Sequence, residues 1–538
     1  MAQKRAPMPK LAPFALANIR PPTPTPLHAL QLLIFLLLFG LPYFAVHTPL
    51  LGLPYFWDEL GQFIPTALDL LRNGSWVAHS TLPNIHPPGV ELYLVLWYKL
   101  FGYSIVITRV AMLVLAAFGA LGTFLLAVEL CRGARGAPAF YPVVLLLASP
   151  LFFMQSMMAQ LDMPAMVFTV WALYFFVKQS FIASTIACVA LVLSKETGVV
   201  VPLIFLTVLA NRARHPKKVP GSLSPTPKPT NPWKRAALFL IAPAVLGAWL
   251  LVLHNATGHW TGNADFARYN ISYSLHPVRI GLTIIRRFFY IFIAEFRWIG
   301  SLALLMAMPR LSLLLTRAWR VTLYVFLMNL LLMSLLGGAA LERYVLPILP
   351  IFYIAVSVAL TTYPRWLEVL ATVAMVAGLI FSVFWNPPYP FPFENNLAMV
   401  DFVRLQEEAA HYTERNLPGS RVATAWPYTA GLSRPDYRFV ERPMEVVETN
   451  DLHLSSIAAI PPQSFDVLIT YTRTWAPPDG VVSNSLVRRF LTKFYDYAPD
   501  ITEAECARLG LQPLMSWSRR GQAITIFGRT YIPPPLTK

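Results

Sequence analysis

The apolar residues of this chain fall into long runs separated by short polar segments, a pattern that predicts helices crossing a membrane. About 20 consecutive apolar residues are needed to cross the hydrocarbon core, and the stretch from His28 to His47 is the first of that length. With the runs that follow it, the pattern predicts about eleven spans. They cover residues 28–47, 104–130, 138–158, 165–177, 181–193, 199–210, 236–253, 288–308, 321–336, 345–360 and 366–385.

Basic residues between the runs predict the orientation. Residues 1–27 carry Lys4, Arg5, Lys10 and Arg20 without an acid, and residues 211–235 are also basic and free of acids. Such segments stay on the cytoplasmic side. We therefore expect a disordered cytoplasmic leader at 1–27 and extracytoplasmic loops at 48–88 and 254–287 of a membrane domain covering 28–385.

Two stretches near the first loop have helical spacing without the length of a span. Residues 60–73 are amphipathic and are expected to lie flat on the membrane. Residues 90–101 are apolar but short, which favours a juxtamembrane or re-entrant helix.

The last part of the chain has a different pattern. A Pro-rich linker is predicted at 386–392, and residues 393–538 alternate apolar runs at 421–425, 465–471 and 523–527 with helical stretches at 399–416 and 486–497. An odd number of spans places this part outside. The predicted fold class is a polytopic α-helical membrane protein with a small C-terminal extracytoplasmic α/β domain.

Composition supports an integral membrane protein. Only 13% of the 538 residues are charged, 56% are hydrophobic, and the mean hydropathy is +0.52, whereas soluble domains have about 25% charged residues. The net charge of +16 is assigned to cytoplasmic loops and anionic lipid, not to nucleic acid. Cys131, Cys188 and Cys506 show no disulfide or zinc spacing.

Several polar residues are predicted to lie on one face of the membrane, although they are far apart in the chain. Carboxylates and cations at a membrane border suit a reaction on a polar group attached to a membrane-bound phosphate. A carboxylate would act as general base on an acceptor hydroxyl, and cations would neutralise the leaving phosphate. The candidates are Asp58, Glu59, His86, Asp162, Lys195, Arg343 and Tyr344.

The acidic candidates could instead have purely structural roles. Asp58 and Glu59 could belong to an interfacial turn anchored by Trp57, and Asp162 could cap the helix that follows it. A further set in the second external loop could contact substrate but matches no metal motif. That set is His254, His259, Arg268, Tyr269 and His276.

The cationic candidates have similar alternatives. Lys195 could pair with Glu196 or extend to the interface. Arg343 could pair with Glu342, and His86 could serve only the turn formed with the two prolines after it.

Five short motifs in their order along the chain resemble the GT-C glycosyltransferases over residues 30–360. The nearest branch is the bacterial one related to dolichyl-phosphate-mannose protein mannosyltransferases and the lipid A aminoarabinose transferase, of the glycosyltransferase family 39 type. The motifs are Asp58-Glu59, His86-Pro87-Pro88-Gly89, Leu161-Asp162-Met163-Pro164, Ser194-Lys195-Glu196-Thr197-Gly198 and Arg343-Tyr344-Val345-Leu346-Pro347.

The resemblance implies an inverting transfer of a sugar from a polyprenyl-phosphate donor to a lipid, glycan or protein acceptor of the cell envelope. It implies that Asp58 is the catalytic base, that Glu59 supports it, and that Asp162 is a second acid, holding a divalent metal (Mg or Mn) in some members. His86 departs from the aminoarabinose branch, which has Lys there, and it carries a positive charge only when protonated. The donor phosphate would contact Lys195, Arg343, His86 and Tyr344.

Two other classes of function stay open. A transporter or lipid flippase would use Asp58 and Asp162 as an ion or proton relay near the bilayer midplane, with inverted repeats. A catalytically silent scaffold would display the C-terminal domain. The expected location is a bacterial inner membrane, with the endoplasmic reticulum as the eukaryotic counterpart.

Overall fold

A computed structural model describes residues 33–132, 139–215, 231–310, 316–336, 341–385, 394–473 and 483–529. The predicted leader at 1–27 and linker at 386–392 lie outside these ranges. The chain forms two compact units, Met1–Val46 and His47–Lys538. In the first, Leu36–Gly40 is a π-helical turn that precedes a helix starting at Leu41. The elements that follow belong to the second unit.

The larger unit is mostly helical through residue 385. Its long helices are Ile105–Leu130, Val200–Arg214, Ile241–Thr257, Arg317–Leu336, Leu349–Leu360 and Arg365–Phe384. Between them lie Ile64–Asn73, Gly89–Phe101, Tyr141–Ala148, Pro150–Gln155, Asp162–Val177, Phe181–Ser194, Pro232–Ala237, Ala264–Ala267, Pro277–Phe292 and Arg297–Ala307.

The prediction of a polytopic helical fold is confirmed, but the count of spans differs. By length and composition, seven helices of the described residues can cross a membrane, or eight if a bent pair counts as one span. Three predicted spans are shorter or broken. Asp162–Val177 and Phe181–Ser194 are short apolar helices, and 138–158 is interrupted between Tyr141–Ala148 and Pro150–Gln155.

The predicted span at 288–308 is not one straight helix, and the stretch predicted as a loop at 254–287 contains the start of a helix. A helix begins at Pro277 and ends at Phe292, and it is bent by 89° from the helix that starts at Arg297. Glu295 and Phe296 adopt positive φ angles at the bend, which ends helical geometry. Three arginines interrupt the apolar run of Pro277–Phe292, so hydropathy alone does not find its start.

The amphipathic stretch at 60–73 is helical, but its apolar side faces protein. Ile64, Ala67 and Leu68 are buried, and the helix ends at Gly74 in a left-handed conformation that glycine adopts readily. The prediction that this face lies on lipid is therefore wrong, because protein already covers it.

The C-terminal part is the predicted α/β fold, with more strands than expected. The helices Ala398–Asn416, Tyr428–Ser433, Leu454–Ala458, Ser485–Tyr495 and Glu503–Arg508 accompany five strands. The strands are β1 (Val422–Ala425), β2 (Val446–Thr449), β3 (Val467–Tyr471), β4 (Leu511–Arg519) and β5 (Gln522–Arg529).

The sheet has the order β2-β1-β3-β5-β4. β1 pairs in parallel with β2 and β3, while β5 pairs antiparallel with β3 and β4. Trp426 directly follows β1. Its ring packs so closely on Gly61 that a Cβ added to Gly61 would lie only 2.3 Å from it. The carboxyl ends of β1–β3 therefore face the membrane helices.

Candidate active site

A cavity of about 470 Å³ gathers six of the seven predicted site residues. These are Asp58, His86, Asp162, Lys195, Arg343 and Tyr344. Its wall also includes Phe266, Asn270 and Ile271 from the second loop and Glu394 from the start of the C-terminal part. Stretches that are distant in the sequence thus converge on one cavity.

Arg343 lies at the centre of this cluster and is almost fully buried, at 6% side-chain exposure. Its Nη1 donates to both carboxylate oxygens of Glu394, at 2.7 and 2.8 Å. Its Nε lies 3.0 Å from Asp162 Oδ2, and its Nη2 donates to Asp58. Arg343 therefore connects three acids and does not pair with Glu342, which instead pairs with Arg286.

Lys195 completes the cluster. It directly follows the helix Phe181–Ser194, and its Nζ donates to Asp162 Oδ1 at 2.5 Å. The same ammonium lies 4.2 Å from the centre of the Tyr344 ring, within range for a cation–π contact. Asp162 is the first residue of the helix Asp162–Val177, where the helix dipole favours a negative charge. It pairs with cations and does not serve as the N-cap.

Glu394 changes the electrostatics of the cluster. It is 3% exposed, and burial raises its pKa to about 8, although the positive charge of Arg343 offsets part of this effect. The other groups that act on it are Asp58 and Asp162, which both raise its pKa. Burial and the two neighbouring acids thus make Glu394 harder to ionise than an ordinary glutamate.

Glu59 lies outside the cavity. Its carboxylate is fully buried, pairs with Arg109 at 2.5 Å, and accepts the backbone N–H groups of Phe56 and Ala159. Arg109 also donates to the carbonyl of Met157. This pair thus ties the segment that carries Asp58 to the segment that leads to Asp162. Its contacts give Glu59 a positioning role, while the predicted catalytic role remains untested.

The neighbouring residue Trp57 has a positive φ of 42°, which is uncommon for a residue with a Cβ. The turn sends adjacent side chains to different surroundings. Asp58 lines the cavity, whereas Glu59 enters the protein interior.

His86 lines the cavity beside Glu196. Its Nδ1 lies 2.8 Å from Glu196 Oε2, so Glu196 pairs with His86 and not with Lys195.

One further cation near the site was not among the predicted residues. Arg287 is 2% exposed, and none of its three guanidinium nitrogens has a hydrogen-bond partner among the described residues. Its guanidinium carbon lies 5.3 Å from the centre of the Tyr344 ring. The adjacent pair Arg286-Arg287 in a mostly apolar helix was the feature of the sequence that could have indicated this cation. Glu394 had a weaker signal, a lone acid after a Pro-rich stretch.

The cluster does not fit a metal ion. Among the described residues no group of three or more His, Cys, Asp or Glu is arranged to hold one, and both oxygens of Asp162 already face cations, Lys195 and Arg343. A metal at Asp162 remains an untested prediction. The five polar residues considered in the second loop do not line the cavity.

Comparison with known proteins identifies the fold. No protein-family model and no curated protein matches the sequence. ArnT from Cupriavidus metallidurans bound to undecaprenyl phosphate is similar in structure, with a TM-score of 0.53 and 14% identity over 92% of this chain and 97% of ArnT. ArnT in the apo state gives 0.51 over the same shares.

The chain has the GT-C fold. The resemblance predicted from five short motifs is thereby confirmed at the level of fold. A third GT-C structure, the oligosaccharyltransferase of Archaeoglobus fulgidus in the apo form, has a TM-score of 0.47 at 10% identity, over 81% of this chain and 69% of that one. Identities this low concern architecture and leave the activity to the chemistry of the site.

Proposed function

We propose that the protein is a membrane glycosyltransferase that moves a sugar from a polyprenyl-phosphate donor to an acceptor hydroxyl on the extracytoplasmic face. The observation that carries this proposal is the single cavity in which Asp58 adjoins a cluster of buried cations. The similar structure of ArnT was determined with undecaprenyl phosphate bound, which supports a lipid phosphate as the donor group.

The donor phosphate is held by the cations around Tyr344. Lys195 and Arg343 line the cavity, and Arg287 has hydrogen-bonding capacity that no described residue uses. A buried, unpartnered guanidinium is costly, and a phosphate oxygen would satisfy it in bidentate geometry. His86, paired with Glu196, is a further polar group at the cavity wall.

The reaction requires a base on one side of the sugar and cations on the other. Asp58 takes the proton of the acceptor hydroxyl while the acceptor oxygen bonds to the anomeric carbon. The bond from that carbon to the phosphate oxygen breaks, and its electron pair stays on the phosphate. Lys195 and Arg343 stabilise the growing negative charge. Attack opposite the leaving group inverts the anomeric centre.

Donor binding also prepares the base. Asp58 is paired with Arg343, which leaves its carboxylate less available to accept a proton. A phosphate that engages Arg343 competes with this pair and frees Asp58. Because Asp162 contacts both Lys195 and Arg343, it keeps the cations in place during the exchange.

We place the protein in a bacterial inner membrane, with a cytoplasmic N-terminus and residues 393–538 outside. The supporting observation is the distribution of Lys and Arg along the sequence. The acceptor is a lipid, glycan or protein of the cell envelope. No step of this mechanism requires a metal ion.

The test uses purified protein in lipid nanodiscs, a panel of radiolabelled polyprenyl-phosphate sugars and a membrane extract as acceptor. Wild type should transfer label, and Asp58→Asn should lose about 10²–10⁴-fold in rate with donor binding retained. Equal rates in both proteins would remove Asp58 as the base. Absence of transfer, with movement of lipid or ions across vesicles, would favour the transporter.

A further inference from the structure

The helix Ser485–Tyr495 in the C-terminal part has an apolar side that the other described residues cover only in part. None of its eleven residues is buried, and Leu486, Phe490 and Tyr495 are exposed by 71%, 37% and 40%. A helix of a soluble domain normally packs its apolar side against the core. This one must either remain solvated or meet a partner.

The two sides of this helix are sharply divided. At 3.6 residues per turn, its six apolar residues occupy about half of the circumference. The other half carries three cations and no acid, and the cations are Arg488, Arg489 and Lys493. An apolar side beside a basic one is the pattern of helices that lie in the interface of an anionic bilayer.

The helix is fastened to the membrane helices at its C-terminal end. The carbonyl of Phe494 accepts from Arg279 Nε at 2.6 Å, and the Phe494 ring lies 5.4 Å from the ring of His276. Arg279 also approaches Asp496, at 3.9 Å. The anchoring residues belong to, or directly precede, Pro277–Phe292, one half of the bent pair that is apolar enough to span.

The position of that anchor selects a bilayer as the partner. Pro277–Phe292 has its own exposed apolar residues, among them Ile285 and Phe288, exposed by 65% and 53%. In a membrane protein such exposed apolar residues face lipid, so Ser485–Tyr495 is joined through Arg279 to a helix that has a lipid-facing side. Its cations complement anionic headgroups.

We propose that Ser485–Tyr495 docks on the bilayer surface, with its apolar side in the interface and its cations on anionic headgroups. Docking adds a bilayer contact to those that the C-terminal part already makes with the helical part, such as Glu394 with Arg343 and Trp426 with Gly61. It also supports residues 266–276, since Phe266, Asn270 and Ile271 line the cavity and His276 contacts Phe494. The proposal does not depend on the chemistry assigned to the cavity.

The test places a fluorophore on Phe490→Cys in the full-length protein, in nanodiscs of phosphatidylcholine and phosphatidylglycerol in equal parts. The three natural cysteines are buried and should not react. Gln463→Cys is the matched control, because Gln463 is exposed and precedes β3, at the edge of the sheet away from Trp426. Lipids carrying a nitroxide on the acyl chain report contact by quenching.

We expect strong quenching at position 490 and little at 463. Arg488→Glu combined with Arg489→Glu should reduce the quenching at 490, as should replacing phosphatidylglycerol with phosphatidylcholine. These cations are exposed, so melting temperatures should not change. Equal, weak quenching at both positions would overturn the proposal. A different outcome would assign the helix to a contact with a second copy of the chain. In that case position 490 would be shielded from an aqueous quencher, lipid quenching would be absent, and the particle mass would be doubled.

Discussion

At the scale of single residues, adjacent carboxylates in this protein have different surroundings and different expected roles. Asp58 lines the cavity with 18% side-chain exposure, while Glu59 is fully buried against Arg109. Removing one partner of a buried ion pair costs about 3–5 kcal/mol. Glu59→Gln should therefore lower the melting temperature clearly, whereas Asp58→Asn should preserve it and abolish transfer. Thermal unfolding and transfer assays of both variants would measure this, and a reversed pattern would contradict the assignment.

Arg286 and Arg287 form a second matched pair. Arg286 is bonded to Glu342, so Arg286→Met removes the ion-pair partner of that buried acid and should destabilise the fold by about 3–5 kcal/mol. Arg287→Met removes a charge without a hydrogen-bond partner among the described residues, so stability should hold. Arg287→Met would also remove the proposed hydrogen bond between this guanidinium and the donor phosphate. A charged hydrogen bond contributes about 1.5–3 kcal/mol, so its loss should weaken donor binding roughly 10–100-fold. Unchanged donor affinity in Arg287→Met would exclude this phosphate contact.

Glu394 makes donor binding depend on pH. Its pKa is raised from 4.5 to about 8. The stability that the folded protein gains from this bound proton is therefore complete below pH 4.5 and is lost as the pH rises through 8. Above pH 8 the ionised carboxylate competes with the donor phosphate for Arg343, while the charge of a phosphodiester stays constant. Donor affinity should fall by up to about tenfold per pH unit there. Glu394→Gln should remove this dependence, and an identical pH profile in both proteins would refute the competition.

The short motifs explain why most of the site could be predicted. The chemistry of Asp58, Asp162, Lys195 and Arg343 is recognisable from residue type and from sidedness. Arg287 could not be assigned, because whether a buried arginine is paired depends on neighbours that are distant in the sequence. The partner of Glu59 was hidden for the same reason, since Arg109 is 50 residues away.

At the scale of elements, a close helix contact sets the spacing between His86 and Lys195. Gly89 begins the helix Gly89–Phe101, and a Cβ there would lie 2.4 Å from the backbone oxygen of Leu193. Gly89→Ala must push the two segments apart, at a cost of about 1–3 kcal/mol. Transfer should fall along with the melting temperature. Gly52→Ala, which meets nothing within 4 Å, is the control, and equal effects in both variants would argue against a spacing role.

The periodicity of the sequence located helices better than strands. Three strands were predicted from their apolar runs, but β2 and β4 were not. Most residues of both strands are partly or fully exposed, so the pattern of a buried strand is missing. β4 instead owes its place to pairing with β5 through a turn in which Arg520 and Gly521 both have positive φ.

At the scale of the whole molecule, the candidate active site is assembled from both parts of the larger unit. The membrane helices supply Asp58, Asp162, Lys195 and Arg343, and the C-terminal part supplies Glu394. Asp58 and Arg343 are 285 residues apart in the chain, so no local pattern contains their contact. The convergence follows from the packing of the GT-C fold, which the motifs indicated only by analogy.

The most direct test of this account is a structure of the nanodisc-embedded protein with a non-transferable polyprenyl-phosphate sugar. The phosphate should lie within hydrogen-bonding distance of Lys195 and Arg287, with Arg343 turned towards it. Asp58 should be released from Arg343 and should face the anomeric carbon from the side opposite the phosphate. A phosphate bound outside the cavity, or Asp58 still paired with Arg343 on the same side as the phosphate, would contradict the proposed mechanism.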